Sequence, residues 1–356
     1  MAENNIIKFK RGVIMKKRFL AVISMILVLS IIAGCGGTTA PAQEADGEWK
    51  FDRKITIVVP WGVGGGADGT VRPLQPLLEK ELGVPVEIVN VEGAGGANGV
   101  EYVYKQPADG YTYLLGTQSH IMLDIQKILT VDFQKDITPV AKLVHSINII
   151  ASSTKAQEGK YSNFKEFIEY AKAHPQELIC AMQTATGADA VAMKQTLAGG
   201  LGVDITEIED YIKIVNYNSG AELAAAQVGG HFNVSITGAD EIRGLIESGD
   251  IIPLISMSEE RMSSFPDMEC TGEHGIDSYV GTWRAIFCRT GTPEAAIEKM
   301  AAALEKCWNM PEYQEFLKQA SYLDRQGFAN AEDTKKLMDE EYVTFTDYLK
   351  KAGIIQ

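Results

Sequence analysis

The residues of this chain that could do chemistry are mostly glycines. Two runs, Gly62-Val63-Gly64-Gly65-Gly66-Ala67-Asp68-Gly69 and Gly93-Ala94-Gly95-Gly96-Ala97-Asn98-Gly99, each follow a β-branched stretch. Glycine lets backbone N–H groups approach a ligand closely. A helix starting just beyond adds free N–H donors and partial positive charge, which suit a carboxylate or phosphate. The pattern points to an anion or zwitterion held by backbone amides; glycines that only make turns would look the same. Gly64-x-Gly66-x-x-Gly69 also spells a dinucleotide-binding fingerprint, with Glu87 where a ribose-binding acid is expected. Against it, Trp61-Gly62-Val63 after Pro60 make a wide loop, and Pro73 and Pro76 interrupt the receiving helix.

Catalytic constellations are thin. The five histidines form no His-x-x-x-His pair. Cys270-x-x-x-His274 stands alone, whereas zinc needs three or four ligands. No Gly-x-Ser-x-Gly elbow occurs. Asp68 reads as a helix N-cap rather than an acid catalyst. Trp61 and Trp283 are either core or the wall of a ligand cleft. No enzyme, cofactor or metal is expected.

The elements that must position these loops alternate. Ile55 to Val59, Val86 to Asn90 and Tyr111 to Gly116 read as strands of a parallel sheet. Leu74, Leu77, Leu78 and Leu82 share one helical face. The pattern recurs: a strand-like run from Leu143 to Ala151, a helix from Asn163 to Ala173, strands at Leu178 to Met182 and Ile212 to Tyr217, a helix from Ala221 to Val228, and a strand from His231 to Thr237. Thr292-Pro293 reads as cap and first position of a later helix. The class is α/β.

The 356 residues carry 33 basic and 47 acidic side chains, a net charge of −14, which argues against a nucleic-acid surface. Lys16-Lys17-Arg18 precede a short apolar stretch ending Leu29-Ser30-Ile31-Ile32-Ala33-Gly34-Cys35. This reads as an export signal (1–34, with 1–14 an upstream extension before Met15). Small residues before Cys35 resemble a bacterial lipobox, and 35–50 reads as a lipidated flexible tether. An ordinary signal with an incidental cysteine is the alternative. Six basic residues and one acid precede Cys35, so the mature chain has 27 basic and 46 acidic residues, net −19. Such a chain cannot attract an anion through its overall field, so recognition must be local. Cys180, Cys270, Cys288 and Cys307 remain, an even number that would permit disulfides in an oxidising compartment; the strand-like runs around Cys180 and Cys288 and the apolar helix face of Cys307 favour buried free thiols.

Taken in order, the motifs resemble those of the extracytoplasmic solute receptors of tripartite tricarboxylate transporters, the Bug family. The family's opening strand and Val-Pro-Phe-x-Pro-Gly-Gly-x-x-Asp reads here Val59-Pro60-Trp61-Gly62-Val63-Gly64-Gly65-Gly66-Ala67-Asp68. Its Asn-Arg-Pro-Gly-Ala-Gly-Gly reads Asn90-Val91-Glu92-Gly93-Ala94-Gly95-Gly96. Ala108 to Gly116, Asn216-Tyr217-Asn218-Ser219, Trp283 and Gly291-Thr292-Pro293 match later motifs. The likeness runs from about Lys54 to the C-terminus.

The resemblance implies a two-lobed, type II periplasmic-binding-protein-like fold, each lobe a mainly parallel sheet flanked by helices. Lobe 1 would span 51–141, lobe 2 142–283, and 284–356 would return to lobe 1. Hinges are expected near Pro139 to Val144 and Gly281 to Ile286. A small carboxylate, amino acid or related solute would sit in the cleft. Trp61, Gly62, Gly65, Gly66, Asp68, Gly95, Gly96 and Asn98 would form the near side, with Thr117, Gln118 and Ser119. Thr186, Gly187, Tyr217, Ser219, Thr237, Gly238, Ala239 and Asp240 would face them. The implied protein is a monomer tethered outside the cell membrane by Cys35, delivering solute to membrane subunits. A receptor for another importer, a sensor, or an exported enzyme using the same cleft are the alternatives.

The departures from the family pattern share a direction. Val63 replaces Pro, Val91-Glu92 replaces Arg-Pro, Val191 stands where many members have His, and Asn218 replaces a basic residue. All reduce positive charge or polarity, so a ligand less anionic than citrate is expected. N-terminal mapping of the exported protein should begin at an acylated Cys35; a start elsewhere would remove the anchor.

Overall fold

The computed structural model describes residues 49–182, 187–217, 220–351 and 353–356. The export signal, the tether and Cys35 lie outside the described residues, as do Thr186, Asn218 and Ser219.

Three β-branched runs become parallel strands β1 (Ile55–Val59), β2 (Val86–Asn90) and β3 (Thr112–Gly116), in the order β2-β1-β3. Helices α1 (Gly66–Val71) and α2 (Gln75–Leu82) follow β1, α3 (Ala97–Tyr104) follows β2, and α4 (Gln118–Ile125) follows β3. The leucine face read as one helix opens at α2 only. Pro73 lies between α1 and α2, and Pro76 sits in the first turn of α2, where its missing N–H costs nothing.

A 17-residue strand, β4 (Ile137–Ser153), comes next. The second half follows as α5 (Phe164–Ala173), β5 (Leu178–Met182), α6 (Ala188–Leu201), β6 (Ile212–Asn216), α7 (Gly220–Gly229), β7 (Val234–Gly238), α8 (Ala239–Glu247), β8 (Ile251–Ser256) and β9 (Glu269–Cys270). Then come β10 (Gly281–Arg289), α9 (Glu294–Trp308), α10 (Pro311–Gln319) and α11 (Ala331–Lys351). The N-cap of α9 is Pro293; Thr292 Oγ1 instead donates to Arg289 O at 2.8 Å and closes the preceding turn.

The strand order is β2-β1-β3-β10-β4-β7-β5-β6, with β8 also on β4 and β9 on β8. β4 links the two lobes. From Ile137 to Ile147 it pairs antiparallel with β10, and from Asn148 onward with β7 and β8. Each lobe keeps a parallel trio, β2-β1-β3 and β7-β5-β6, which antiparallel strands complete. Both segments read as hinges lie in the β4–β10 ladder, which bulges at Arg284/Ala285 and Ile286/Phe287.

The cores divide similarly. Ile57, Leu78, Met300, Leu304 and Tyr313 share one buried cluster, so α9 and α10 pack with β1 and α2. Phe164, Phe167, Met193, Leu197 and Ile255 form another. Each such side chain contributes about 1.5–3 kcal/mol by leaving water. Cys180, Cys270, Cys288 and Cys307 are buried free thiols.

Trp283 is fully buried, and its Nε1 donates to Glu341 on α11 at 2.8 Å. Burial pushes the Glu341 carboxyl from 4.5 up to about 7. Its folded pKa is raised, so its stabilising contribution is complete below the ordinary value and is lost as pH rises through about 7. Glu341→Gln should therefore flatten the fall in melting temperature between about pH 5 and pH 8. An unchanged slope would refute this assignment.

Candidate functional site

Helices α1, α4, α6, α7 and α8 all begin at one cavity between the two lobes. Its volume is about 90 Å³, room for roughly six to nine water-sized groups. These five helices follow the carboxyl ends of β1, β3, β5, β6 and β7, where an open α/β sheet binds its ligands. The first amides of a helix have no intrahelical acceptor. At α1, α6 and α8 the N-cap is glycine, so no cap side chain takes up those amides.

The first loop reaches the cavity through Trp61, Gly62, Gly65 and Gly66. Asp68 holds the loop in shape from below. It is not the N-cap: Gly65 is, and Asp68 is the third residue of α1. It is 1% exposed. Its carboxylate accepts from Gly64 N–H at 2.9 Å, Arg72 Nε at 2.6 Å and Asn90 Nδ2 at 3.1 Å. Burial opposes its charge, but these bonds outweigh burial and hold the carboxyl below its ordinary value. Gly64 needs its glycine because its φ is +84°.

The second loop does not line the cavity. Gly96 lies against His120 Nε2 and the Trp61 ring, where a Cβ would crowd both. Gly96 thus braces Trp61, Gly95 lies over Leu123, and Asn98 turns back to donate to Glu92 O at 3.0 Å. His120 continues the brace, with ring centroids 5.2 Å from Trp61 and 5.3 Å from Phe133. Burial lowers its pKa to about 4, so the ring is neutral, and its Nδ1 accepts from Thr117 N–H at 3.1 Å.

Thr117 caps α4, accepting from Ser119 N–H at 3.1 Å, and both residues line the cavity. Gln118 is fully buried and donates to Gly281 O at 2.7 Å, tying α4 to β10. In the second lobe Thr237 and Gly238 line the cavity. Gly187 caps α6 behind it, Tyr217 packs on Phe232 with centroids 5.5 Å apart, and Ala239 is buried. Asp240 turns away to bind Arg284 and Tyr322.

The residues the sequence reading missed are charged: Asp189, Glu241 and Arg284 line the cavity, with Thr282 beside them. Arg284 Nη1 donates to Asp240 at 3.1 Å and to Tyr322 Oη at 2.6 Å, and Nη2 donates to Glu241 at 3.2 Å. Tyr322 Oη in turn donates to Asp240 at 2.6 Å. Burial, with the Asp240 charge next, pushes Glu241 up to about 7. Burial also raises Asp189, whose Oδ1 accepts from Asn148 at 2.9 Å and Thr282 at 3.2 Å. An arginine inside the apolar run Ala285-Ile286-Phe287-Cys288 and Trp283 was the available signal. Among the described residues no group of three metal-ligating side chains occurs.

Two glycines of the fingerprint separate cleanly. A Cβ at Gly66 would collide with Arg284 Nη2 and Glu241 Oε1, whereas one at Gly69 meets nothing within 4 Å. Gly66→Ala should cost about 1–3 kcal/mol in thermal or urea unfolding. Gly69→Ala, inside α1, should be neutral or stabilising by up to about 1 kcal/mol. Equal effects would contradict the packing.

Comparison with known proteins agrees with this architecture. BugT from Bordetella pertussis is 27% identical over 272 residues, covering 75% of this chain and 79% of that protein. A protein encoded in the gbd 5' region of Cupriavidus necator is 27% identical over 318 residues, covering 87% of this chain and 92% of its own. The periplasmic binding protein BugD superposes with a TM-score of 0.72 at 24% identity, covering 85% of this chain and 98% of its own. MatC from Rhodopseudomonas palustris, solved with bound malate, gives 0.71 at 23% identity, covering 83% and 98%. A second R. palustris protein, solved with adipate, gives 0.73 at 22% identity, covering 85% and 97%. Residues 70–354 match the family described as tripartite tricarboxylate transporter family receptor, and the chain belongs to that family of solute-binding receptors.

Proposed function

We propose that this protein is an extracytoplasmic receptor that closes around a small carboxylate-bearing solute and delivers it to the membrane subunits of a tripartite transporter. The observation that carries this reading is the convergence of five helix N-termini, three of them glycine-capped, on one cavity. Open amides in a desolvated cleft suit a carboxylate, and malate and adipate occupy two proteins of the same fold. In this reading Trp61, Gly62, Gly65, Gly66, Thr117, Ser119, Thr237 and Gly238 contact solute. Asp68, Gly96, Gln118 and Asp240 hold those contacts in place.

The same reading assigns lobe 1 to 51–141 with 284–356, and lobe 2 to 142–283. Closure would bend the β4–β10 ladder, and its bulges beside Arg284 and Ile286 support a hinge there. Cys35 would carry the lipid that keeps the receptor at the outer face of the membrane. The isolated protein should turn nothing over.

Mass spectrometry of solute retained after mild purification tests this. One small carboxylate per chain is the expected result; a retained compound without a carboxyl group would overturn it. In a thermal-shift panel, stabilisation by citrate alone would refute a ligand less anionic than citrate.

A further inference from the structure

The cavity has two chemically different walls. One is the backbone of the first loop, with the N-terminal amides Gly66 and Ala67. The other carries two acids, Asp189 and Glu241, with Thr237 and Thr282. A receptor for a simple anion gains nothing from carboxylates in its cleft, because each repels the ligand through a medium that screens poorly.

The acids are incompletely satisfied from within. The donors Asn148 and Thr282 both go to Asp189 Oδ1, so Oδ2 accepts no hydrogen bond among the described residues. Glu241 takes Thr237 Oγ1 at 2.9 Å on one oxygen and Arg284 Nη2 on the other, and among the described residues it shares that cation with Asp240. Burial raises the pKa of both Asp189 and Glu241, against the opposing charge of Arg284. Glu92 adds a further negative group at Gly62, where a Cβ would come within 3.4 Å of its Oε1.

An independent observation points to the other end of a ligand. Arg284 is 2% exposed and lines the cavity, yet its buried Nε has no hydrogen-bond partner among the described residues. A buried guanidinium N–H left unpaired is costly unless an acceptor arrives. Among the described residues the walls of this space of about 90 Å³ thus hold one unpaired buried donor, Arg284 Nε–H, and one unpaired acceptor, Asp189 Oδ2.

We infer that the solute is a small zwitterion whose ammonium group sits on Asp189 and Glu241 while its carboxylate meets the first-loop amides and Arg284 Nε–H. This rests on the cavity being the solute site, as proposed above. It narrows the ligand class to compact aminocarboxylates.

The test is calorimetric titration and thermal shift of the full mature chain with two matched sets. One set holds L-amino acids with uncharged side chains together with β-alanine and 4-aminobutanoate. The other holds their N-acetyl derivatives with malate and adipate. At least one aminocarboxylate should bind, and its N-acetyl partner should bind at least about tenfold more weakly. Asp189→Asn and Glu241→Gln should each weaken that ligand about tenfold or more, with a single cooperative unliganded melting transition that falls in temperature for Glu241→Gln. If malate, adipate or an N-acetyl compound binds as tightly as any aminocarboxylate, the zwitterion assignment falls and the receptor reading stands. If a simple alkylamine binds as tightly, the carboxylate half falls. If neither set binds, both readings fall.

Discussion

The structure is organised around one buried cation. Arg284 sits on β10 at 2% exposure, where an unpaired guanidinium would cost several kcal/mol. Its partners come from elements far apart in the chain: Asp240 and Glu241 open α8, and Tyr322 lies between α10 and α11. Tyr322 Oη also lies 3.3 Å from Thr70 Oγ1 on α1. One charge thus draws together the first-loop helix, the C-terminal helices and the second lobe. Its position beside a bulge in the β4–β10 ladder places this cluster where the lobes join. Deleting one acid would leave a buried charge short of a partner, which is worse than never having had the pair.

Around that cluster, helix ends and acids are balanced against each other. Each helix N-terminus presents about half a positive charge. Asp68, Asp189, Asp240 and Glu241 all lie in first turns of helices that open at the cavity. The chain's own carboxylates therefore answer part of the field that an anionic solute would use. Asp68 is fully spent on Gly64, Arg72 and Asn90, and Asp240 on Arg284, Tyr322 and Ser146. Asp189 keeps one oxygen without a donor among the described residues and lines the cavity beside Glu241, and that asymmetry distinguishes this cleft from a bare anion hole.

Much of the fold was legible because its signals are local. β-branched runs, glycine turns and leucine spacing located most strands and helices, and Pro73 marked the break between α1 and α2. The first loop was also legible, since Gly62, Gly65 and Gly66 act through backbone geometry that glycine itself announces. The second loop was less legible: Gly95 and Gly96 were read as ligand donors, and in the structure Gly96 makes room for Trp61 and His120 outside the cavity lining. A glycine required for close packing and one required for a ligand look identical in sequence. The charged wall was missed for a different reason. Asp189, Glu241 and Arg284 are brought together by sheet topology across a long stretch of chain, and no spacing rule reports such an encounter.

The acidity that confined anion recognition to local contacts takes a further meaning here. The chain carries −14 overall, a field that repels a dianion during approach. Salt damps that field beyond about 8 Å, but it does not screen groups in contact inside a desolvated cleft. Long-range charge therefore governs encounter, while Arg284, Asp189, Glu241 and the loop amides govern retention. A zwitterion has no net charge for the outer field to act on, yet it presents both signs at contact. It approaches without penalty and satisfies both walls, whereas a dicarboxylate would be repelled on approach and then meet Asp189 and Glu241 inside. The overall charge and the local geometry favour the same ligand class for separate physical reasons.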